Sequence, residues 1–195
     1  MRLPASLHNA VAKRQREFLA GRDCAQKALR LAGCPGVAVL PIGLDRLPVW
    51  PTGWVGSISH CATMACAIVA SKTRYRALGI DVECIMSEEL STELGEFVAT
   101  EAELAHFAGL GRPLGVTLVF SAKEALFKAL YPEVRRVLDF DAARVRGVGT
   151  DEIVLQLAVD WNRSWHAGRL ISVRFAVSGT AVHTVVYFRD GVGKI

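Results

Sequence analysis

The chain has no apolar run long enough to cross a bilayer. Its longest, around Ala62 to Ala70, falls well short of the roughly 20 residues that a spanning helix needs. The N-terminus lacks the apolar stretch of a secretory signal. There is no Cys-x-x-Cys pair, and the cysteines are odd in number: Cys24, Cys34, Cys61, Cys66 and Cys84. Zinc fingers and disulfide frameworks are therefore poor readings. Reduced, mostly buried thiols in a cytoplasmic protein are expected instead. Charge of one sign is not in large excess. The net charge of +4 permits an anionic ligand or an acidic protein partner without requiring one. Nucleic-acid binding has no support beyond that charge, and no short-period repeat is visible. What is present is a globular composition over 195 residues, 51% hydrophobic and 22% charged, enough for a core within one domain.

Residues 57 to 83 organise the rest. A Ser57-Ile-Ser-His60 corner leads into a strongly apolar strand ending near residue 71, a basic turn follows, and a second strand runs from 77 to 85. Alternation along that second strand predicts Leu78, Ile80 and Val82 against a core, with Asp81 and Glu83 projecting together from the other face. Two adjacent carboxylates repel unless a cation lies between them. A hard ion such as Mg²⁺, which takes one or two carboxylates together with phosphate oxygens, suits that pair.

Around this stretch, residues 7 to 32 read as a basic helix, interrupted at Gly21 and ended by Gly33. The Pro- and Gly-rich residues 34 to 56 read as a loop with short extended pieces such as Val37 to Leu40, and carry Arg46, Trp50 and Trp54. A helix is expected over 87 to 109, with a capping box at Thr100-x-x-Glu103. Another is expected over 114 to 130, closed by Tyr131-Pro132, with Glu124 and Lys128 on one face. Beyond it the pattern turns to strands at 137–140, 143–145, 153–159, 170–177 and 180–188. Ser178-Gly179 forms a hairpin turn between the last two, and residues 191 to 195 form a tail. The succession of helix, loop and strands, then helix and strands again, suggests two similar halves with a shared cleft.

Gly56-Ser-Ile-Ser-His60, Gly79-Ile-Asp-Val-Glu83 and Phe120-Ser-Ala-Lys-Glu-Ala-Leu-Phe-Lys128 occur in this order. In combination they resemble the 4′-phosphopantetheinyl transferases, in particular the branch that activates siderophore and other nonribosomal peptide synthetases. Arg16-Glu-Phe-Leu-Ala-Gly-Arg22 with Cys24-Ala25, Trp50-Pro51-x-Gly53 and Thr100-x-x-Glu103 extend the resemblance over residues 4 to 145. Members of this branch usually carry a further segment before the basic helix, which here starts almost at Met1.

The resemblance implies an α/β (α+β) fold of two similar halves, residues 1–110 and 111–195. Each half packs a helix on a small, mostly antiparallel sheet, and a pseudo-twofold relates them across a cleft. It implies transfer of 4′-phosphopantetheine from coenzyme A to a serine of an apo carrier protein, with adenosine 3′,5′-bisphosphate released. By family match Asp81, Glu83 and Glu124 hold Mg²⁺, with pyrophosphate and water completing the shell. Glu124, or a metal-bound water it polarises, serves as base, and Lys128 neutralises the leaving phosphate. His60 and Ser59 contact a coenzyme A phosphate. Arg22 and Arg46 hold the nucleotide end, with Arg16 and Lys27 as weaker candidates. A cytoplasmic monomer is expected. Two other readings share parts of this pattern: a different Mg²⁺-dependent phosphotransfer enzyme, and a non-catalytic module that binds carrier proteins or nucleotide. The residues leave open whether Glu103 is only a cap or also an edge of the active site.

Overall fold

Residues 54 to 71 fold as a hairpin, where the sequence predicts a turn and one buried strand over 56 to 71. Strand β1 (Trp54–His60) pairs antiparallel with β2 (Ala65–Ser71), from Trp54 opposite Ser71 to His60 opposite Ala65. The Cys61 N–H closes the turn on the Met64 carbonyl at 2.9 Å. The computed structural model describes residues 3–4, 7–36, 40–43 and 45–189. Most of the extended piece expected at 37–40, and the tail at 191–195, lie outside these residues.

Helix α1 (Ala12–Leu31) starts later than residue 7. The Gln15 side-chain amide donates to the carbonyls of Leu7, His8 and Ala10, which holds those residues in turns ahead of the helix. Gly21 does not interrupt α1. It is buried, and a Cβ there would lie 2.7 Å from Ile58 Cγ2, so its bareness lets the helix rest on β1. Gly33, at φ 83°, ends the helical path as expected. Leu29, Ala25 and Leu40 form a small core there with Trp50, Trp54 and Ile58.

Strand β3 (Tyr75–Cys84) joins a second sheet. Its order is β3-β7-β6-β5-β4, antiparallel throughout, with β4 Ala143–Val148, β5 Glu152–Leu157, β6 Leu170–Ser178 and β7 Ala181–Arg189. The expected hairpin at Ser178-Gly179 is present, with Gly179 at φ 59°. Residues 137–139 form no strand, and Phe140–Ala142 is a 3₁₀ turn. The helix expected over 87–109 is broken. Helix α2 (Glu88–Val98) stops because Thr100 caps a new start, α3 (Glu101–Leu104), which runs into a 3₁₀ segment, Ala105–Leu110.

Helix α4 (Arg112–Val134) is longer than expected at both ends. Pro132 lies inside its last turn, where it costs the hydrogen bond to the Lys128 carbonyl just before the helix ends. The helix stops at Arg135, at φ 56°. Leu118, Leu126 and Leu130 of α4 meet Ile153, Leu155 and Val173 of the sheet in the main core. Each such fully buried side chain contributes about 1.5–3 kcal/mol. The architecture is α+β, a helix on each small antiparallel sheet. Among the described residues no helix is long and apolar enough to cross a membrane.

Candidate functional site

The site begins where α4 comes down on β3. Residues opposite one another in an antiparallel pair share a face. The register therefore puts Gly79, Asp81 and Glu83 on one face with Val186, Thr184 and Val182. Helix α4 covers this face. Ser121 and Thr184 are joined at 2.8 Å, and a Cβ on Gly79 would stand 1.9 Å from the Ala125 carbonyl. Only glycine permits that approach. One helical turn beyond Ala125, it brings Lys128 over Asp81, where Nζ donates to Oδ1 at 2.6 Å. The alternation expected on β3 is present, but the carboxylate face is not a solvent face. Asp81 is 1% exposed because the helix lies on it.

The other edge of β3 meets β1 through serine side chains. Ser57 Oγ accepts the Ile80 N–H at 3.1 Å, and Ser59 Oγ accepts the Val82 N–H at 3.3 Å. Buried Ser59 also donates to Asp81 Oδ1 at 2.8 Å and accepts from Lys128 Nζ at 2.9 Å. Ser59, Asp81 and Lys128 therefore form one closed set. The other oxygen, Asp81 Oδ2, is buried without a hydrogen-bond partner among the described residues.

The other carboxylates sense this charge. Glu83 is pushed up to about 7, first by burial and then by Asp81 and Glu124, with Lys128 opposing. Burial also raises Glu124, against Lys128 and with a contribution from Asp81. Three partly desolvated carboxylates and one orphaned oxygen are donors that suit a hard dication. Among the described residues, no three His, Cys, Asp or Glu side chains stand close enough to enclose an ion by themselves. Water and phosphate oxygens would have to complete its shell.

His60, at the end of β1, is half-buried against α1. Its Nε2 lies 3.2 Å from Arg14 Nη1 and its Nδ1 lies 3.8 Å from Glu17 Oε2. Burial holds it below its ordinary value; Glu17 pulls the other way, and Arg14 and Lys128 add to the lowering. Arg22 is buried in α1, donates to the Pro41 carbonyl at 3.2 Å and lies over the Phe18 ring. Burial lowers it to about 10, so it stays charged at neutral pH. Arg16 is exposed on α1. Lys27 pairs with Asp23 at 2.8 Å on the same helix. Arg46 is exposed in a tight turn with a left-handed φ of 64°. The contacts thus gather Ser59, Asp81 and Lys128 directly and Glu83, Glu124 and His60 electrostatically. Arg16, Arg22, Lys27 and Arg46 stand apart from that set.

A cavity of about 980 Å³ opens beside Lys128, walled by Trp50, Trp54, Gly56, Phe127 and Tyr131, with Gly43, Asp45 and Leu47 also lining it. A smaller one of about 260 Å³ touches Glu124 and Lys123 across Phe127. Glu103 forms the expected capping box with Thr100. Its carboxylate also pairs with buried Lys123 at 2.8 Å and accepts the Val145 N–H at 2.9 Å, so it ties α3, α4 and β4 together.

The family model described as the 4′-phosphopantetheinyl transferase N-terminal domain matches residues 3–70, and that of the 4′-phosphopantetheinyl transferase superfamily matches residues 77–185. The chain belongs to the 4′-phosphopantetheinyl transferase superfamily. It is 38% identical over 182 residues to enterobactin synthase component D of Salmonella typhi, covering 92% of this chain and 74% of that protein. The corresponding protein of Escherichia coli strain K12 is 46% identical over 127 residues, 64% of this chain and 59% of the relative. The 4′-phosphopantetheinyl transferase Npt of Nocardia iowensis is 36% identical over 188 residues, 91% of this chain and 78% of the relative. The resemblance read from the motifs is thus borne out, and the protein is an enzyme of this transferase type.

Sequence reasoning about this transferase missed Gly79 as the contact point of α4, the buried Lys123 beneath Glu103, and Ser57 as a rung between the sheets. A glycine opening the Gly-Ile-Asp-Val-Glu strand was the signal for the first. The second and third depend on partners 20 or more positions away, at Glu103 and Ile80.

Proposed function

We propose that the enzyme transfers 4′-phosphopantetheine from coenzyme A to a serine of an apo carrier protein, with Mg²⁺, releasing adenosine 3′,5′-bisphosphate. The observation that carries this reading is the buried, half-satisfied Asp81, set electrostatically among Glu83, Glu124 and Lys128, of which Lys128 also lines the 980 Å³ cavity. That volume and its aromatic walls suit a ligand of nucleotide size. Asp81, Glu83 and Glu124 would hold the metal. When bound, Mg²⁺ would neutralise pyrophosphate charge as the bond breaks.

The remaining chemistry belongs to the chain. The carrier serine oxygen attacks the phosphorus that bears the pantetheine arm, and the phosphoanhydride bond to the nucleotide phosphate breaks. Glu124 accepts the serine proton, its affinity for protons raised by burial. Lys128, already fixed over Asp81, neutralises charge on the departing phosphate. Ser59 holds Asp81 and Lys128 in place, and His60 contributes a neutral ring to a coenzyme A phosphate. Arg22 and Arg46 take the nucleotide's 3′-phosphate end, with Arg16 and Lys27 as weaker candidates for the same work. The chain works as a cytoplasmic monomer of one domain, with halves 1–110 and 111–195 meeting at the cleft. The relatives named enterobactin synthase component D favour a siderophore or other nonribosomal peptide synthetase as the source of the carrier.

Mass measurement tests this. With coenzyme A, Mg²⁺ and an apo carrier, the carrier gains one phosphopantetheine. No gain across several unrelated carriers would overturn the reading. Asp81→Ala and Glu124→Ala abolish transfer while circular dichroism stays native; near-normal rates in either would remove that residue from the site.

A further inference from the structure

The seam between β1 and β3 keeps a constant offset. Ser57 meets Ile80, Ser59 meets Val82, and the next rung in the same register joins Cys61 to Cys84. Their sulfurs are 3.5 Å apart, and the Thr63 hydroxyl lies 3.7 Å from one and 3.8 Å from the other. Both thiols are free and only partly buried, so a small reagent reaches them. The other cysteines differ: Cys24 donates to the Ala65 carbonyl at 3.4 Å, Cys34 is buried, and burial pushes Cys66 up to about 11. Cys61 follows His60 directly, and Cys84 follows Glu83. The rung therefore adjoins both flanks of the site.

We propose that Cys61 and Cys84 form a reversible disulfide that slows the transferase under oxidising conditions. The oxidant is a low-molecular-weight disulfide such as glutathione disulfide. Cys61 gives its proton to solvent and its thiolate attacks one glutathione sulfur; the glutathione S–S bond breaks and one glutathione thiolate leaves. Cys84, giving its proton to solvent, then displaces the second glutathione and closes the protein S–S bond. Two protein thiols are oxidised and one glutathione disulfide is reduced to two thiols. Closure shortens the sulfur separation from 3.5 Å to about 2.05 Å. It draws the ends of β1 and β3 together beside His60 and Glu83. A shift on the order of 1 Å in reacting groups lowers rates up to about a hundredfold.

The rate effect rests on the transfer reaction proposed above; the cross-link itself does not. The full-length reduced protein is treated with glutathione disulfide, alkylated, digested and mapped by mass spectrometry, and the transfer rate is measured in parallel. The expected result is a Cys61–Cys84 linked peptide pair, with Cys24, Cys34 and Cys66 alkylated, and a transfer rate about tenfold lower or more that dithiothreitol restores. Cys61→Ser and Cys84→Ser keep the reduced protein's rate and lose the sensitivity. Glutathione adducts without the cross-link, a different cysteine pair, a cross-link that leaves the rate unchanged, or equal sensitivity in Cys84→Ser would each overturn the proposal. If the reduced protein transfers nothing, the coenzyme A reading fails by itself, and the peptide map still decides the cysteine pairing.

Discussion

Asp81 is the residue on which the site's electrostatics turn. One oxygen is satisfied twice, by Ser59 and Lys128, and the other is buried without a partner. Removing one member of a buried ion pair leaves the other charge uncompensated, at a cost of about 3 kcal/mol or more. Lys128→Met should therefore lower stability by about that amount in a metal-free buffer. A dication bound by Asp81 would replace the lost charge, so Mg²⁺ should raise the melting temperature of Lys128→Met more than that of the native protein. Thermal melts with Mg²⁺ and with a chelator check this; equal shifts in the two proteins would remove Asp81 from the metal site. The carboxylates and the lysine were legible as residues, because they sit in short recognisable strings. Ser59's three-way contact was not, since it needs Val82, Asp81 and Lys128 brought to one point.

The decisive contact between elements is that of β3 with α4. Gly79→Ala would drive a Cβ into the Ala125 carbonyl and the Ala129 N–H, both backbone groups that cannot swing aside. The expected loss of stability is on the order of 3 kcal/mol, read by urea denaturation. Surviving folded protein should transfer slowly, because Lys128 and Glu124 ride on the displaced helix. A second junction, Glu103 with Lys123, sets a pH limit. Burial raises the Glu103 carboxyl, but the Lys123 hydrogen bond and the N–H groups of Thr100 and Val145 outweigh it, so it lies below its ordinary 4.5. The sign follows from linkage: this stability is fully present above 4.5 and is lost as pH falls through the lower folded value. Glu103→Gln should be less stable at pH 7 by about 3 kcal/mol, and its stability should fall less steeply on acidification. Parallel acid limbs in the two proteins would count against the ion pair. The capping box was readable from Thr100 to Glu103; its extension to Lys123 and β4 was not, because a buried lysine in an apolar helix carries no local mark.

For the whole molecule, the cavity collects walls from the 43–50 loop, β1, β3 and α4. A ligand that binds only the folded form stabilises it by mass action, by about 2.7 kcal/mol at a hundredfold excess over its Kd. Coenzyme A with Mg²⁺ should raise the melting temperature accordingly, and Trp54→Ala should weaken that shift while leaving the response to Mg²⁺ alone unchanged. Thermal melts read both shifts, and isothermal titration gives the Kd of coenzyme A in each protein. Coenzyme A binding untouched by Trp54→Ala would place the ligand outside this cavity.

Local pattern by itself determined a great deal here. Helix-forming stretches, the strand alternation through Asp81 and Glu83, the Thr100 cap and the Ser178-Gly179 turn all depend on near neighbours and were visible without coordinates. So was the family, because its motifs are short and ordered. Tertiary structure alone decided the rest. It turned residues 54–71 into a hairpin, carried α4 past Pro132, and buried Asp81 beneath a helix that only Gly79 admits. It also aligned Cys61 with Cys84. Each of these rests on contact between residues far apart in the chain, and packing over such separations leaves no periodic trace in the string that encodes it.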